Sequence, residues 1–291
     1  MRLIVHIGLH KTASTWLQHL FNDNAEALAQ HGVYYQRQPG YPAHHDAAWQ
    51  LLVGRSGPLD TMFEEARAAR CDTLVLSSED LEAAIFHRAP IDAIETAAAR
   101  AGASIEWHAV LRDPGACFAS LFAQLQHHVY ADATAMFYAV MRTGALHIAD
   151  PMAGALGTPY WHYCFDAERH LTRFAAATRF PVIAHDFDDG DPYPGWRMLA
   201  AIGASEAVTA LPGTSARNAR MAPLDVAQGY VARMLEAVGD DDAAEAMLPG
   251  LEASLRASLD SVDRYAAIVH DRYEPGRQAA LATFRTQSSR S

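Results

Sequence analysis

Lysine is almost missing from this chain: of 23 basic residues, 22 are arginine and one, Lys11, is lysine. A composition rich in alanine and arginine accounts for the scarcity, yet the same bias makes the survivor conspicuous. Arginine and lysine interchange on a solvated surface but not where a compact point charge is needed. Cysteine is sparse as well. Cys71, Cys117 and Cys164 are odd in number and widely spaced, which excludes a disulfide framework and a CxxC metal site. No apolar run approaches the ~20 residues of a membrane helix, so no membrane span is expected. The opening stretch MRLIVHIGLHKT has an apolar part of six or seven residues that runs into a polar loop, and reads as a strand rather than a signal peptide. These absences together predict a cytoplasmic protein. Net charge is -11, which argues against wrapping nucleic acid or binding an anionic membrane by overall charge. A local basic pocket for a small anion stays open.

What is present is a core-forming chain: half of the 291 residues are apolar. Arg2–Ile7, Thr73–Ser77, Ile105–Leu111 and Phe180–Ala184 read as buried strands. Thr15–Gln30, Ile91–Ala101 and Asp166–Thr178 carry helical periodicity between and after them. Strands alternating with helices predict an α/β fold with a mostly parallel central sheet flanked by helices. After Gly203 the strand signal stops, and Leu224–Val238, Ala243–Val269 and Gly276–Phe284 read as helices. The expectation is one domain over 1–284, with an α/β core to about residue 203, a helical cap over 204–284 and a disordered tail over 285–291. Gly40–Ala43, Gly54–Pro58 and Gly154–Pro159 read as loops.

Two strand ends carry anion-binding chemistry. The first strand leads through Gly8 into Leu9-His10-Lys11-Thr12-Ala13-Ser14-Thr15-Trp16 and then a helix. A strand, a tight loop and a helix N-terminus form an anion cradle, because N–H groups point inward and the helix dipole adds positive potential. Thr12, Ser14 and Thr15 add hydroxyls and Lys11 a full charge. An ordinary turn with Thr12 or Ser14 as N-cap explains one hydroxyl, but not the sole lysine. The strand ending at Leu111 runs into Arg112-Asp113-Pro114, with Asp113 suited to cap a helix, Pro114 to open it, and Ser120 two turns further on. Arg112 then sits at the carboxyl end of a strand, where open α/β sheets bind ligands, and suits bidentate contact with a phosphate.

On these residues the chain resembles the sulfotransferases dependent on 3'-phosphoadenosine 5'-phosphosulfate (PAPS), in their bacterial branch. Residues 8–16 are similar to that family's 5'-phosphosulfate loop, and Leu111-Arg112-Asp113-Pro114 with Ser120 to its 3'-phosphate motif. The resemblance runs to about residue 220 and implies a P-loop-kinase-like core. It implies that Lys11 and the loop from His10 to Trp16 hold the 5'-phosphate and bridging oxygen, and that Arg112 and Ser120 hold the 3'-phosphate. The family often has glycine where this chain has Ala13, which predicts a negative φ there and a slightly different loop. The family's late nucleotide-closing loop finds a loose match at Arg217-Asn218-Ala219-Arg220.

Leu74-Val75-Leu76-Ser77-Ser78-Glu79-Asp80 places a carboxylate at the same sheet edge. The resemblance points to Glu79 as the base that takes a proton from a hydroxyl or amine acceptor, with Asp80 as competitor. Ser78 capping a helix whose first turn holds Glu79, Asp80 and Glu82 is the structural alternative. Tyr160-Trp161-His162-Tyr163 offers rings, Tyr163 among them, for adenine stacking or for core packing. His44-His45 and His127-His128 are adjacent pairs rather than the i, i+4 pairs of a metal-binding helix face, so no metal is expected; His44 or His45 lines the acceptor cleft or is exposed. Asp186-Phe187-Asp188-Asp189 resembles an acidic turn of the family and is assigned no chemistry. The expected function is transfer of a sulfuryl group from PAPS, releasing 3'-phosphoadenosine 5'-phosphate (PAP), to a small-molecule, glycan or lipid acceptor. A P-loop kinase using ATP and Mg²⁺ is one rival, although no second glycine precedes Lys11 as GxxxxGK requires. A non-catalytic nucleotide-binding protein of the same fold is the other.

Overall fold

The computed structural model describes residues 1–128, 132–149, 160–189, 192–212, 236 and 239–285. Five strands form an all-parallel sheet: β1 (Arg2–His6), β2 (Val33–Tyr35), β3 (Thr73–Ser77), β4 (Ser104–Leu111) and β7 (Val182–Asp186). Their order is β2-β3-β1-β4-β7. Side chains alternate between the two sheet faces, and both faces are covered by helices. Ile4 and Val75 pack against α1 (Ser14–Asp23), α2 (Ala25–Gln30) and α9 (Trp196–Ile202). Leu3, Val5, Leu74, Leu76 and Trp107 pack against α3 (His45–Leu52), α4 (Gly57–Ala68), α5 (Arg88–Ala101) and α8 (Ala167–Ala177). Burial on both faces is why these strands read as continuous apolar runs.

A second core contains no residue of that sheet. There α6 (Pro114–His128), α7 (Ala133–Thr143), an antiparallel pair β5 (Ala145–Ala149) and β6 (Tyr160–Cys164), and the C-terminal helix α10 (Asp241–Thr283) bury Phe118, Phe122, Val140, Tyr163, Val262 and Val269. The four expected strands are present within two residues of the expected bounds. Three strands were not expected. β2 has only three residues, too few for an alternation to register, and β5 (ALHIA) and β6 (YWHYC) are five-residue stretches each interrupted by a histidine, His147 and His162. The helices expected over Ala243–Val269 and Gly276–Phe284 are one helix running through Pro249 and Pro275. A proline inside a helix costs about 3 kcal/mol, but α10 is anchored on both sides of Pro275. Val269 and Tyr273 lie in the second core, and Ala280 and Leu281 in the first. Just past its end, the Phe284 carbonyl accepts from Ala184 N at 2.8 Å, covering the open edge of β7. Leu224–Val238 (Glu236 apart), Gly154–Pro159 and the tail beyond residue 285 lie outside the described residues.

Candidate functional site

The five parallel strands end at one edge, and the chain reverses its direction of build around β1, with β2 and β3 to one side and β4 and β7 to the other. Such a switch point opens a crevice at the carboxyl ends of the strands. A cavity of about 220 Å³ lies there, lined by a segment following every strand. His10, Lys11, Ala13, Ser14 and Thr15 follow β1, Tyr41 follows β2, Glu79 follows β3, Arg112, Ser120 and Gln124 follow β4, and Phe187 follows β7. A larger groove of about 650 Å³ along edge strand β2 shares none of these residues.

The first loop is strained in a specific pattern. Gly8, Leu9, Lys11 and Ala13 have φ of 76°, 61°, 68° and 62°, and the chain has just one other described non-glycine residue with positive φ, Arg70. Left-handed residues at 9, 11 and 13 alternate with ordinary ones at 10, 12 and 14, the backbone pattern that turns N–H groups toward an anion. Ala13 corrects the sequence expectation: it takes the left-handed conformation of a glycine rather than a negative φ. The surroundings hold it there. Thr12 and Ser14 hydroxyls both donate to the Leu9 carbonyl, at 2.6 and 3.3 Å. Arg112 Nη1 donates to the Lys11 carbonyl at 2.7 Å, and His10 N donates to Glu82 Oε2 at 2.8 Å. The hydroxyls therefore do not cap α1, whose N-terminus has no side-chain cap.

Glu82 is the residue that sequence reasoning treated only as a first-turn carboxylate. It is 1% exposed and also takes His10 Nδ1 at 2.6 Å and the Cys164 backbone N–H. Burial opposes charge on His10, but the Glu82 carboxylate outweighs it and raises the imidazole above its ordinary value. Burial, then the neighbouring Arg112 charge, lowers Lys11. The pairing that would have revealed Glu82 spans 72 positions.

The carboxylates after β3 divide three ways. Glu79 faces the cavity and accepts from Gln18 Nε2 at 2.7 Å; Gln18 is fully buried. A Cβ on Gly8 would lie 2.4 Å from Glu79 Cα, so glycine there lets the two loops touch. Asp80 is paired with His45 at 2.6 Å instead. Ser78 does cap this turn, accepting from Asp80 N at 3.3 Å.

At the second junction Asp113 Oδ1 accepts from Ala116 N at 2.6 Å, capping α6 as expected. The Arg112 guanidinium lies over the Phe187 ring, 4.8 Å from its centre. Asp186, in the same acidic turn, accepts from buried Arg277 of α10 at 2.7 Å.

Not every sequence candidate faces the cavity. Thr12 is buried beneath the loop, and Trp16 packs against Tyr193 with ring centres 5.4 Å apart. Tyr163 belongs to the second core and meets His10 edge-on at 4.6 Å, which favours packing over adenine stacking. His44 is buried, its Nδ1 accepting from Ser77 N and its Nε2 meeting the Gln36 carbonyl; neither it nor His45 lines the cavity. Arg217 and the side chains of His127 and His128 lie outside the described residues. Asp113, His270 and Glu274 place ligand-type atoms within 4.8 Å of one another, but Asp113 caps α6 and both Glu274 oxygens accept from Arg277. No helix among the described residues is long and apolar enough to cross a membrane. The chain matches no family model, no curated protein and no solved structure.

Proposed function

We propose that this chain is a PAPS-dependent sulfotransferase with a P-loop-like core. The observation that carries the proposal is the convergence of the sole lysine, an uncapped helix N-terminus, Arg112 with Ser120, and Glu79 on one cavity. Two anion-binding groups of different construction suit a nucleotide with phosphates at both 5' and 3' positions. The 5'-phosphosulfate lies against the left-handed loop and the start of α1. Arg112 and Ser120 take the 3'-phosphate.

In the reaction the acceptor oxygen or nitrogen forms a bond to sulfur while the bond from sulfur to the bridging oxygen breaks, and PAP leaves. We reason by analogy with phosphoryl transfer, where charge accumulates on the leaving oxygen. Lys11 and the preorganised N–H groups stabilise that charge. Glu79, oriented by Gln18, takes the acceptor proton, a contribution typically of ~10²–10⁴-fold. A transferred sulfuryl group carries less charge than a terminal phosphoryl group, so the scheme assigns no role to Mg²⁺.

A thermal-shift panel of PAP, AMP and ATP, each with and without Mg²⁺, tests this. PAP should stabilise the chain without metal, by about 2.7 kcal/mol at 100 times its Kd, and EDTA should leave that shift intact. A response confined to ATP with Mg²⁺ would replace the proposal with a kinase.

A further inference from the structure

Three imidazoles meet at the hairpin, outside the cavity described above. His147 and His162 face one another across β5 and β6, with their Nδ1 atoms 2.6 Å apart. The other nitrogen of His162, Nε2, lies 2.9 Å from Nε2 of His87, just before α5. Phe86 floors the group, its ring centre 5.1 Å from His147 and 5.4 Å from His162. His162 is 8% exposed, whereas His87 and His147 are exposed.

We infer that His147 and His162 bind a first-row transition-metal dication of the Zn²⁺, Ni²⁺ or Cu²⁺ class, with His87 as the positioning residue that orients His162. A neutral imidazole has one N–H and one lone pair. When His162 donates Nε2–H to His87, its Nδ1 lone pair points at Nδ1 of His147. A metal-binding histidine is built this way, one nitrogen on the ion and the other held by a partner.

The spacing fits an ion after a small opening. A separation of 2.6 Å is shorter than the ~2.7–3.2 Å of ordinary N–H hydrogen bonds. Two nitrogens about 2.0–2.1 Å from a tetrahedral ion stand roughly 3.3 Å apart. Exposed His147 can swing outward by that difference, and water or a small anion fills the remaining positions. Imidazole ligands over an apolar floor select borderline dications over Mg²⁺ or Ca²⁺. The next two residues of β6 brace the anion loop: Tyr163 packs on His10, and Cys164 N–H donates to Glu82. An ion here therefore ties down the strand that supports that loop.

The experiment is calorimetric titration of the chelator-treated full chain with Zn²⁺ and Ni²⁺ at neutral pH. Uptake at one site is expected. His147→Ala should weaken it at least tenfold, and His87→Ala by about 10–100-fold, the usual effect of losing an orienting partner. His270→Ala should change nothing, which separates this site from the Asp113, His270 and Glu274 group. His147 is exposed, so its variant tests the site without threatening the core. No uptake, or unchanged affinity in His147→Ala, would leave a plain chain of hydrogen-bonded imidazoles and overturn the inference. The result does not depend on the sulfotransferase proposal.

Discussion

The two strand-to-helix junctions of the cavity solve the same problem in opposite ways. After β4, Asp113 caps α6 and Pro114 opens it, so the Ala116 N–H of the first turn is satisfied within the chain. After β1, the loop adopts left-handed φ at Gly8, Leu9, Lys11 and Ala13, and α1 begins without a side-chain cap. A capped helix has spent part of its N-terminal donors, whereas an uncapped one keeps them for a ligand. The difference teaches how each junction can hold an anion. The first offers backbone N–H groups and Lys11; the second must rely on the side chains of Arg112 and Ser120. Strain belongs to the first junction alone, where each left-handed non-glycine residue costs about 1–2 kcal/mol.

Gly8→Ala is the hardest blow to the strained junction. Its Cβ meets Glu79 Cα at 2.4 Å with φ at 76°. Left-handed strain of about 1–2 kcal/mol and overpacking of about 1–3 kcal/mol together predict a loss of about 2–5 kcal/mol, with loss of PAP binding. Denaturant melts and calorimetry read both. A variant of wild-type stability and affinity would mean that the loop is not held against Glu79.

Acid attacks the floor beneath the same junction. His6 ends β1 fully buried, and burial, then the charge of His108, lowers it from 6.5 to about 3. Burial lowers His44 to about 4. A lowered imidazole binds its proton in the unfolded chain first, so stability present above pH 6.5 is lost as pH falls toward the folded value. Each of these two contributes a loss of roughly 2 kcal/mol by pH 5. His10 and His45, raised by Glu82 and Asp80, act with the opposite sign and recover part of it. Histidines lowered in the fold outnumber those raised, adding His108, His147, His162, His170 and His185 to the first group and only His270 to the second. Urea melts should show falling stability from pH 7 to pH 5; a flat profile would mean that these imidazoles are charged when folded.

Arg112→Ala sharpens the contrast between the junctions. Under the proposed function it removes a charge-assisted contact to a 3'-phosphate, worth on the order of 1.5–3 kcal/mol, and should weaken PAP far more than AMP by calorimetry. Because Arg112 also donates to the Lys11 carbonyl, some loss for AMP is expected. Equal losses for the two nucleotides would show that the capped junction reads no phosphate.

The smallest effect is a gain. Ala13→Gly removes the side chain that makes φ of 62° costly, so thermal unfolding should reveal about 1 kcal/mol of added stability. A loss of that size would mean that the loop is over-determined enough for glycine's greater unfolded entropy to dominate.

The amino-acid sequence by itself determined the alternation of strands and helices, the four longer strands of the sheet, the cap at Asp113 and the gathering of Lys11, Glu79 and Arg112 at strand ends. These are local: an apolar run buried on both faces, a helix start and a lone lysine are visible within a dozen residues. The tertiary structure decided the rest. Glu82 becomes the brace of His10, Asp80 is removed from the cavity by His45, and Pro275 stays inside a helix because two cores grip the chain on either side. β5 and β6 pair antiparallel, which brings His147 to His162, and His162 in turn meets His87. Each outcome depends on partners tens of residues apart in the chain, and no local pattern encodes the energy of a contact that exists only after the chain has closed on itself.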